Sequence, residues 1–300
     1  MPRTVSERPV LVTGGAGFAG SYVISELLAK GRQVICYDLA DFRPESRFVL
    51  GEMARAVTLE RGSIDDWPRV IEVMLAHRPS AVVHAGGIMN TAFLDRHPTI
   101  AFRTNLGGTL NLLEAARLVG GVDRFVFFST IAVIGRVLYE PVDANHPVLS
   151  ARDGPLGAYS AVKAAGEAFC FTYRQSFGLD TRIVRPSALY GFGMSWFAPN
   201  YMKNIVEPAL EGRPVRLRTG GQVPRDYTHA ADLASLVVAI IDGRRPSSFM
   251  AWRSGAEQGE ANGRSEEPRP GSAPRFWPRA CCVPRSGRSC RARGAQRIRQ

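Results

Sequence analysis

The sequence predicts an α/β fold built on a doubly wound parallel sheet, with a small and incomplete C-terminal substrate lobe. Three observations predict it. Short, continuous apolar runs alternate with stretches of helical spacing. A glycine-rich turn follows the first apolar run. An acidic residue closes the second. Apolar strands without polar alternation are those buried on both faces, and helices between them supply the cover a parallel sheet needs.

The elements follow in order. Pro9–Thr13 is a short strand that ends in glycines, and Phe18–Lys30 has helical spacing with Val23, Ile24, Leu27 and Leu28 on one face before Gly31 stops it. Val34–Tyr37 is the second strand, closed by Asp38. Ala56–Leu59 and Ala81–His84 read as further strands around a helix over about residues 64–77. A long helix over about 99–119 leads to the strand Arg124–Ser129. A second, over about 157–177, leads to the strand Thr181–Arg185. Past Tyr190 the pattern is less regular, with Pro199, Pro208 and Pro214 as breakers, until the helix Ala230–Ile241. No internal repeat is evident.

Residues 1–190 therefore read as the nucleotide-binding domain, 191–243 as a partial substrate lobe and 244–300 as a separate tail. The tail holds 13 of the 38 basic residues, no Lys, 7 Ser, 6 Gly and 6 Pro, without a sustained period. Such text buries too little apolar surface to offset its ordering entropy, so it is expected to be disordered. It also carries almost all of the +11 net charge, so the body is nearly neutral. Nucleic acid is therefore an unexpected partner for the body. A basic arm on the tail would give salt-dependent phosphate contacts but contains no sequence reader.

Composition excludes other classes. With 300 residues and 45% apolar content the chain is of ordinary globular make-up, and no apolar run approaches the length of a membrane span. Five cysteines, an odd number, argue against a disulfide scaffold and fit a reducing cytoplasm. Neither the five His nor Cys281, Cys282 and Cys290 have metal-ligand spacing, so no metal site is expected.

Thr13-Gly14-Gly15-Ala16-Gly17-Phe18-Ala19-Gly20 joins the first strand to the first helix. Glycines at 14, 17 and 20 permit a tight turn, close approach of backbone to a pyrophosphate, and close packing of helix on strand. The helix N-terminus adds free N–H groups and partial positive charge. This is a Rossmann-type dinucleotide signature. Asp38 follows Gly20 by 18 residues and suits a ribose 2′-hydroxyl while repelling a 2′-phosphate, which favours NAD over NADP.

Tyr159-Ser160-Ala161-Val162-Lys163 sets a phenol and an ammonium four apart on one helix face. A nearby cation favours phenolate, so the Tyr159 pKa is expected to fall toward working pH and allow the phenol to take a hydroxyl proton. Lys163 could also bond the cofactor ribose; the plain alternative is a surface Lys lying on a Tyr. Ser129 and Thr130 end a strand of the parallel sheet, where ligands bind. A hydroxyl there could hold a substrate oxygen, or simply cap a turn.

With these motifs, the chain resembles the extended short-chain dehydrogenase/reductases, specifically the NAD-dependent epimerase/dehydratase group acting on nucleotide sugars. The resemblance spans about residues 8–243 and also rests on Val82–Gly87, Asn105–Ala116, Arg124–Gly135, Arg185–Gly191 and Arg225–Ala234. It implies Tyr159 as catalytic base, Lys163 as its electrostatic partner and Thr130 as ligand of the substrate hydroxyl. It implies that Ala85, Gly86, Ser129 and Pro186 line the NAD cofactor and that Asn105 lies near both nicotinamide and substrate phosphates. Arg225 would grip the diphosphate, or else pair with Asp226 or Asp232. It further implies a homodimer through the helices at about 99–119 and 157–177.

The chain departs from the family pattern in four places. Gly62-Ser63-Ile64-Asp65 stands where an Asp usually precedes Ile at the adenine, so Ser63 or Asp65 would take that contact beside Ile64. Val133-Ile134-Gly135 lacks the tyrosine of Val-Tyr-Gly. Ile131 and Ala132 follow Thr130 where dehydratases carry an acid, which disfavours dehydration and leaves epimerisation or net oxidoreduction open. The tail replaces the expected strand and helices; either a natural basic tail or a change of reading frame accounts for it. With the lobe incomplete, an NAD-binding protein without turnover is the competing reading.

Overall fold

The computed structural model describes residues 8–143, 146–148, 157–194, 201–216 and 226–243, which all belong to one compact unit. Its strands are β1 (Val10–Thr13), β2 (Val34–Asp38), β3 (Thr58–Arg61), β4 (Ala81–His84), β5 (Arg124–Phe128), β6 (Thr181–Val184), β7 (Ala188–Tyr190) and β8 (Tyr227–His229). The helices are α1 (Phe18–Ala29), α2 (Pro44–Leu50), α3 (Trp67–His77), α4 (Thr91–Arg96), the single turn α5 (Pro98–Ile100), α6 (Gly108–Val119), α7 (Gly157–Phe177), α8 (Tyr201–Leu210) and α9 (Ala230–Ile241).

Six strands form one parallel sheet in the order β3-β2-β1-β4-β5-β6, as expected of the doubly wound class. Alternate residues of each strand face opposite sides, and both sides are apolar. Val10, Val12, Val34, Cys36, Val83 and Val126 pack toward α1 and α9, against Val23, Ile24, Leu27, Leu233 and Val237. Leu11, Ile35, Val82, Phe125 and Phe127 pack the other way, against Val73, Met74, Leu112, Leu113 and Cys170. Strand order reverses between β1 and β4, whose last residues, Thr13 and His84, are paired neighbours. Ligands of open parallel sheets bind outside the carboxyl ends of the strands at this reversal. A separate two-stranded parallel sheet pairs β7 with β8.

Several elements differ from the sequence reading, each for a local reason. The third strand is Thr58–Arg61, after a tight turn of 3-10 helix over Gly51–Ala56. It is an edge strand bonded only to β2 and is only partly buried, so its apolar content marks its position poorly. The next helix starts at Trp67 because the Asp66 side chain caps the Arg69 amide, with Pro68 in the first turn. The long helix after Pro98 is interrupted by a π-helical stretch, Ala101–Gly107. There the Thr109 hydroxyl donates to the Asn105 carbonyl at 2.7 Å, and Gly108 packs against Ile64. Pro208 sits inside α8, two residues before its end, instead of breaking it. The tail 244–300 lies outside the described residues.

Candidate active site

The turn after β1 is held by backbone bonds. The Gly14 amide donates to the Tyr37 carbonyl at 3.0 Å, and the Gly17 amide donates to the Gly14 carbonyl at 3.1 Å. Gly14 has φ +68°, and a Cβ there would lie 2.6 Å from the Gly86 Cα. A Cβ on Gly20 would lie 2.2 Å from the Gly14 oxygen, so α1 touches its own preceding turn. Gly17 caps α1 without a side-chain bond, and the first intrahelical amide is that of Ser21. The amides of Phe18, Ala19 and Gly20 thus lie in the first turn, where no intrahelical acceptor exists. Asp38, half-buried at the end of β2, accepts the Ala16 amide on Oδ2 at 3.0 Å and the Ala40 amide on Oδ1 at 3.4 Å. Its carboxylate is thereby tied to the glycine turn.

Beside the turn, the loop after β3 is fixed from three sides. Tyr37 donates its hydroxyl to the Ser63 carbonyl at 2.8 Å, Asn111 donates to the Ile64 carbonyl at 3.0 Å, and Thr104 donates to Asp65 at 3.0 Å. The Ser63 hydroxyl donates to the Asp65 carboxylate, so the two candidate adenine contacts are bonded to each other.

His84 is fully buried at the end of β4, and the sequence reading assigned it no role. Thr109 gives its proton to the Asn105 carbonyl, so it accepts from His84 Nε2 at 3.0 Å. His84 Nδ1 then accepts from Thr13 Oγ1 at 2.8 Å. The Gly86 amide donates to Thr13 Oγ1 at 3.2 Å. Burial, aided by the Lys163 charge, holds the imidazole well below its usual pKa, and it is neutral. Asn105 clamps the next loop, accepting the Ile88 amide at 2.8 Å and donating to the Ile88 carbonyl at 2.9 Å. Its amide therefore shapes the cofactor-side loop from within the protein.

At the end of β5 the two hydroxyls separate. Ser129 is buried and donates to Glu167 at 2.5 Å, whereas Thr130 is half-buried and accepts only the Ala132 amide at 3.3 Å among the described bonds. Ser129 thus faces the protein, and Thr130 keeps a proton to donate. Pro186 accepts the Ile131 amide at 3.1 Å, which joins the end of β6 to this strand end. Ile134, at the place of the family tyrosine, is 1% exposed.

Helix α7 carries Tyr159 and Lys163, and Asp95 of α4 accepts the Ala158 amide at 2.8 Å beside Tyr159. Lys163 is buried and donates to the Phe128 carbonyl at 2.7 Å; its nitrogen lies 4.8 Å from the Phe127 ring centre and 5.9 Å from that of Tyr159. Burial lowers Lys163 to about 8, against the opposing influence of Cys170 and Glu167. The expected acid shift of Tyr159 is not found: burial pushes the phenol up to about 12. The physical reason is that the ammonium is directed at a carbonyl and not at the phenol, so burial is left to set the shift. Arg225 lies outside the described residues.

Residues 10–249 match the model of the NAD dependent epimerase/dehydratase family. The chain belongs to that family. It is similar to the UDP-glucose 4-epimerase of Rhizobium meliloti (strain 1021), with 31% identity over 247 residues, 78% of this chain and 72% of the relative. Among solved structures, it resembles the UDP-glucose 4-epimerase of Thermus thermophilus in complex with NAD. Identity is 31% and TM-score 0.66, over 84% of this chain and 79% of the other. The Thermotoga maritima UDP-glucose 4-epimerase with UDP-glucose gives 28% identity and TM-score 0.67, over 77% and 72%.

As a family member, the chain is an NAD-dependent enzyme. Its residues fit the cofactor: the turn at Gly14 and Gly20 has no room for a Cβ, the adjoining helix start is uncapped by any side chain, and a carboxylate is tethered at the end of β2. Among the described residues no cluster of His, Cys, Asp and Glu could hold a metal ion, and no helix is long and apolar enough to cross a membrane. His84, Asp95 and Glu167 escaped the sequence reading. His84 and Glu167 had a weak signal, a polar residue closing an apolar strand and an acid one turn after Lys163; Asp95 had none.

Proposed function

We propose that this chain catalyses NAD-dependent epimerisation of a nucleotide sugar, in the manner of a UDP-glucose 4-epimerase, or a related oxidoreduction of a sugar hydroxyl. The observation that carries this reading is the docking of α7 on the end of β5, with Lys163 bonded to Phe128 beside the free hydroxyl of Thr130. Relatives and solved structures named as UDP-glucose 4-epimerases support the substrate class.

When bound, NAD supplies a hydride acceptor and a positive ring charge that favours the ionised phenol. Gly14, Gly17, Phe18, Ala19 and Gly20 hold the pyrophosphate and Asp38 the adenine ribose. Ser63 and Ile64 border the base, and Ala85, Gly86 and Pro186 line the remainder. Tyr159 takes the proton of the sugar hydroxyl and returns it, Thr130 donates a hydrogen bond to that oxygen, and Lys163 holds the local positive charge. Ser129 and Asn105 act through the backbone they brace, and Arg225 meets the diphosphate. The Ile131-Ala132 pair offers no acid for eliminating water, so the sugar keeps its hydroxyls.

The exposed apolar side chains Phe102, Leu118, Phe169 and Phe177, carried by α6, α7 and the stretch before α6, support a homodimer through these helices.

The test is incubation of the purified full chain with NAD and UDP-glucose, followed by NMR of the sugar anomeric protons. Formation of UDP-galactose without net consumption of NAD is expected. Inertness toward UDP-, GDP- and dTDP-sugars by a chain that binds NAD overturns the reading. It supports instead NAD binding without turnover, a second reading that rests on the family match stopping at residue 249, ahead of the Arg-rich remainder.

A further inference from the structure

The carboxylate of Glu167 lies in the protein, 3% exposed, one helical turn beyond Lys163 on α7. It accepts three bonds: from Ser129 Oγ at 2.5 Å, from Arg185 Nε at 2.7 Å and from Arg185 Nη2 at 2.6 Å. Arg185 is 5% exposed and Ser129 3%. The Ser129 amide in turn donates to the Val184 carbonyl at 2.8 Å. One side chain thus joins three elements, the ends of β5 and β6 and the inner face of α7. The residue preceding Ser129 is Phe128, whose carbonyl receives the Lys163 ammonium, and the residue following it is Thr130.

A buried ion pair is a weak stabiliser, since apolar residues of equal volume commonly serve as well or better. Its directional bonds are its distinguishing property. The charges around Lys163 make the same point. Cys170 and Glu167 from α7 and His84 from β4 are coupled to it, and the Tyr159 ring centre lies 5.9 Å away; burial keeps the thiol, the imidazole and the phenol neutral. Glu167 is the carboxylate that opposes the two buried cations.

We propose that Glu167 is a positioning residue of the reaction: through Ser129 and Arg185 it aligns the Phe128 carbonyl and Thr130, and it supplies the counter-charge that keeps Lys163 an ammonium. The proposal rests on the reading of Lys163 as the partner of Tyr159. Replacing Glu167 by Gln leaves a patch with two cations and no carboxylate, and Lys163 then loses its proton at lower pH.

The chain has three lysines, Lys30, Lys163 and Lys203, so a Lys30→Arg/Lys203→Arg background leaves Lys163 as the single one. In this full-length protein, labelled with carbon-13 at the lysine Cε, the Lys163 titration is read directly by NMR without any substrate. Glu167→Gln is expected to lower its midpoint by about one pH unit, as loss of a neighbouring opposite charge does. The high-pH limb of the turnover profile is expected to move with it. An unchanged midpoint in the folded variant overturns the proposal, whatever happens to turnover. Should Glu167→Gln not fold, Glu167→Asp keeps the pairing charge but withdraws it by one methylene; a smaller downward shift supports the proposal and an unchanged midpoint overturns it. A shifted midpoint in a protein inert toward nucleotide sugars would refute the epimerase reading and leave the role of Glu167 intact.

Discussion

Lys163 donates to the Phe128 carbonyl at 2.7 Å, although Tyr159 lies one turn away on the same helix face. The ammonium is anchored to the sheet, and the phenol is left with its proton. Ionisation of Tyr159 is therefore a property of the loaded site and not of the helix alone. Tyr159→Phe is expected to lower turnover by about 10²–10⁴-fold, the usual size of a general-base contribution. NAD affinity by calorimetry should remain within a few-fold. Turnover at the wild-type rate in this variant would remove Tyr159 from the mechanism.

Lys163 makes stability depend on pH. Its pKa is about 8 in the folded chain and about 10.5 when unfolded, so between these values the unfolded chain holds more protons. Stability contributed at this site therefore rises as pH increases through that window. The gain from pH 7 to pH 10 is about 2 kcal/mol. Urea unfolding of wild type and Lys163→Met at the two pH values reads it as a difference, which cancels the other titrating groups. A difference that does not change with pH would contradict the burial of a charged Lys163.

His84 acts at the acid end. Its folded pKa lies well below 6.5, so on acidification the unfolded chain takes up a proton that the folded chain refuses. Its contribution is full above about pH 6.5 and is lost as pH falls below that value. His84→Leu, which takes this partner from the buried Thr13 and Thr109 hydroxyls, should be less stable at pH 7 by about 1–3 kcal/mol. It should also lose less on moving to pH 5. Parallel thermal melts of the two proteins at pH 5 and pH 7 make the comparison.

The glycines of the cofactor turn are not equivalent. A methyl on Gly20 would meet the Gly14 oxygen at 2.2 Å and the Gly15 Cα at 2.7 Å, both backbone atoms with nowhere to go. On Gly17 the nearest contact is 3.1 Å, again the Gly14 oxygen. Gly20→Ala is expected to weaken NAD binding at least about tenfold and to destabilise the chain by about 1–3 kcal/mol, the usual range for overpacking. Gly17→Ala should do less of both. Equal effects in calorimetry and thermal melts would show that helix–turn contact is not what Gly20 serves.

The exposed apolar side chains on α6, α7 and the stretch before α6 yield a prediction on assembly. Phe102→Glu/Leu118→Glu should convert a dimer to a monomer in analytical ultracentrifugation, because two carboxylates per chain would be buried in the interface. A wild-type chain that sediments as a monomer at tens of micromolar would dismiss the dimer.

The amino-acid order alone determined the sheet, the turn at Gly14–Gly20 and the placing of Tyr159 and Lys163 one turn apart on a single helix. Each of these is written locally: apolar strands by composition, the turn by the lack of side chains, the pair by helical period. The interrupted helix before Gly108, the inward turn of Ser129, the commitment of Asn105 to Ile88 and the direction of the Lys163 ammonium were decided only by tertiary structure. Hydrogen-bonding groups in a dry interior must find partners wherever the fold brings them, and those partners lie 17 to 38 residues away in sequence. For the same reason the phenol of Tyr159 is more basic than its neighbour in the chain implied. Proximity along a helix sets which charges can meet, but burial and the nearest carbonyl set where the proton rests.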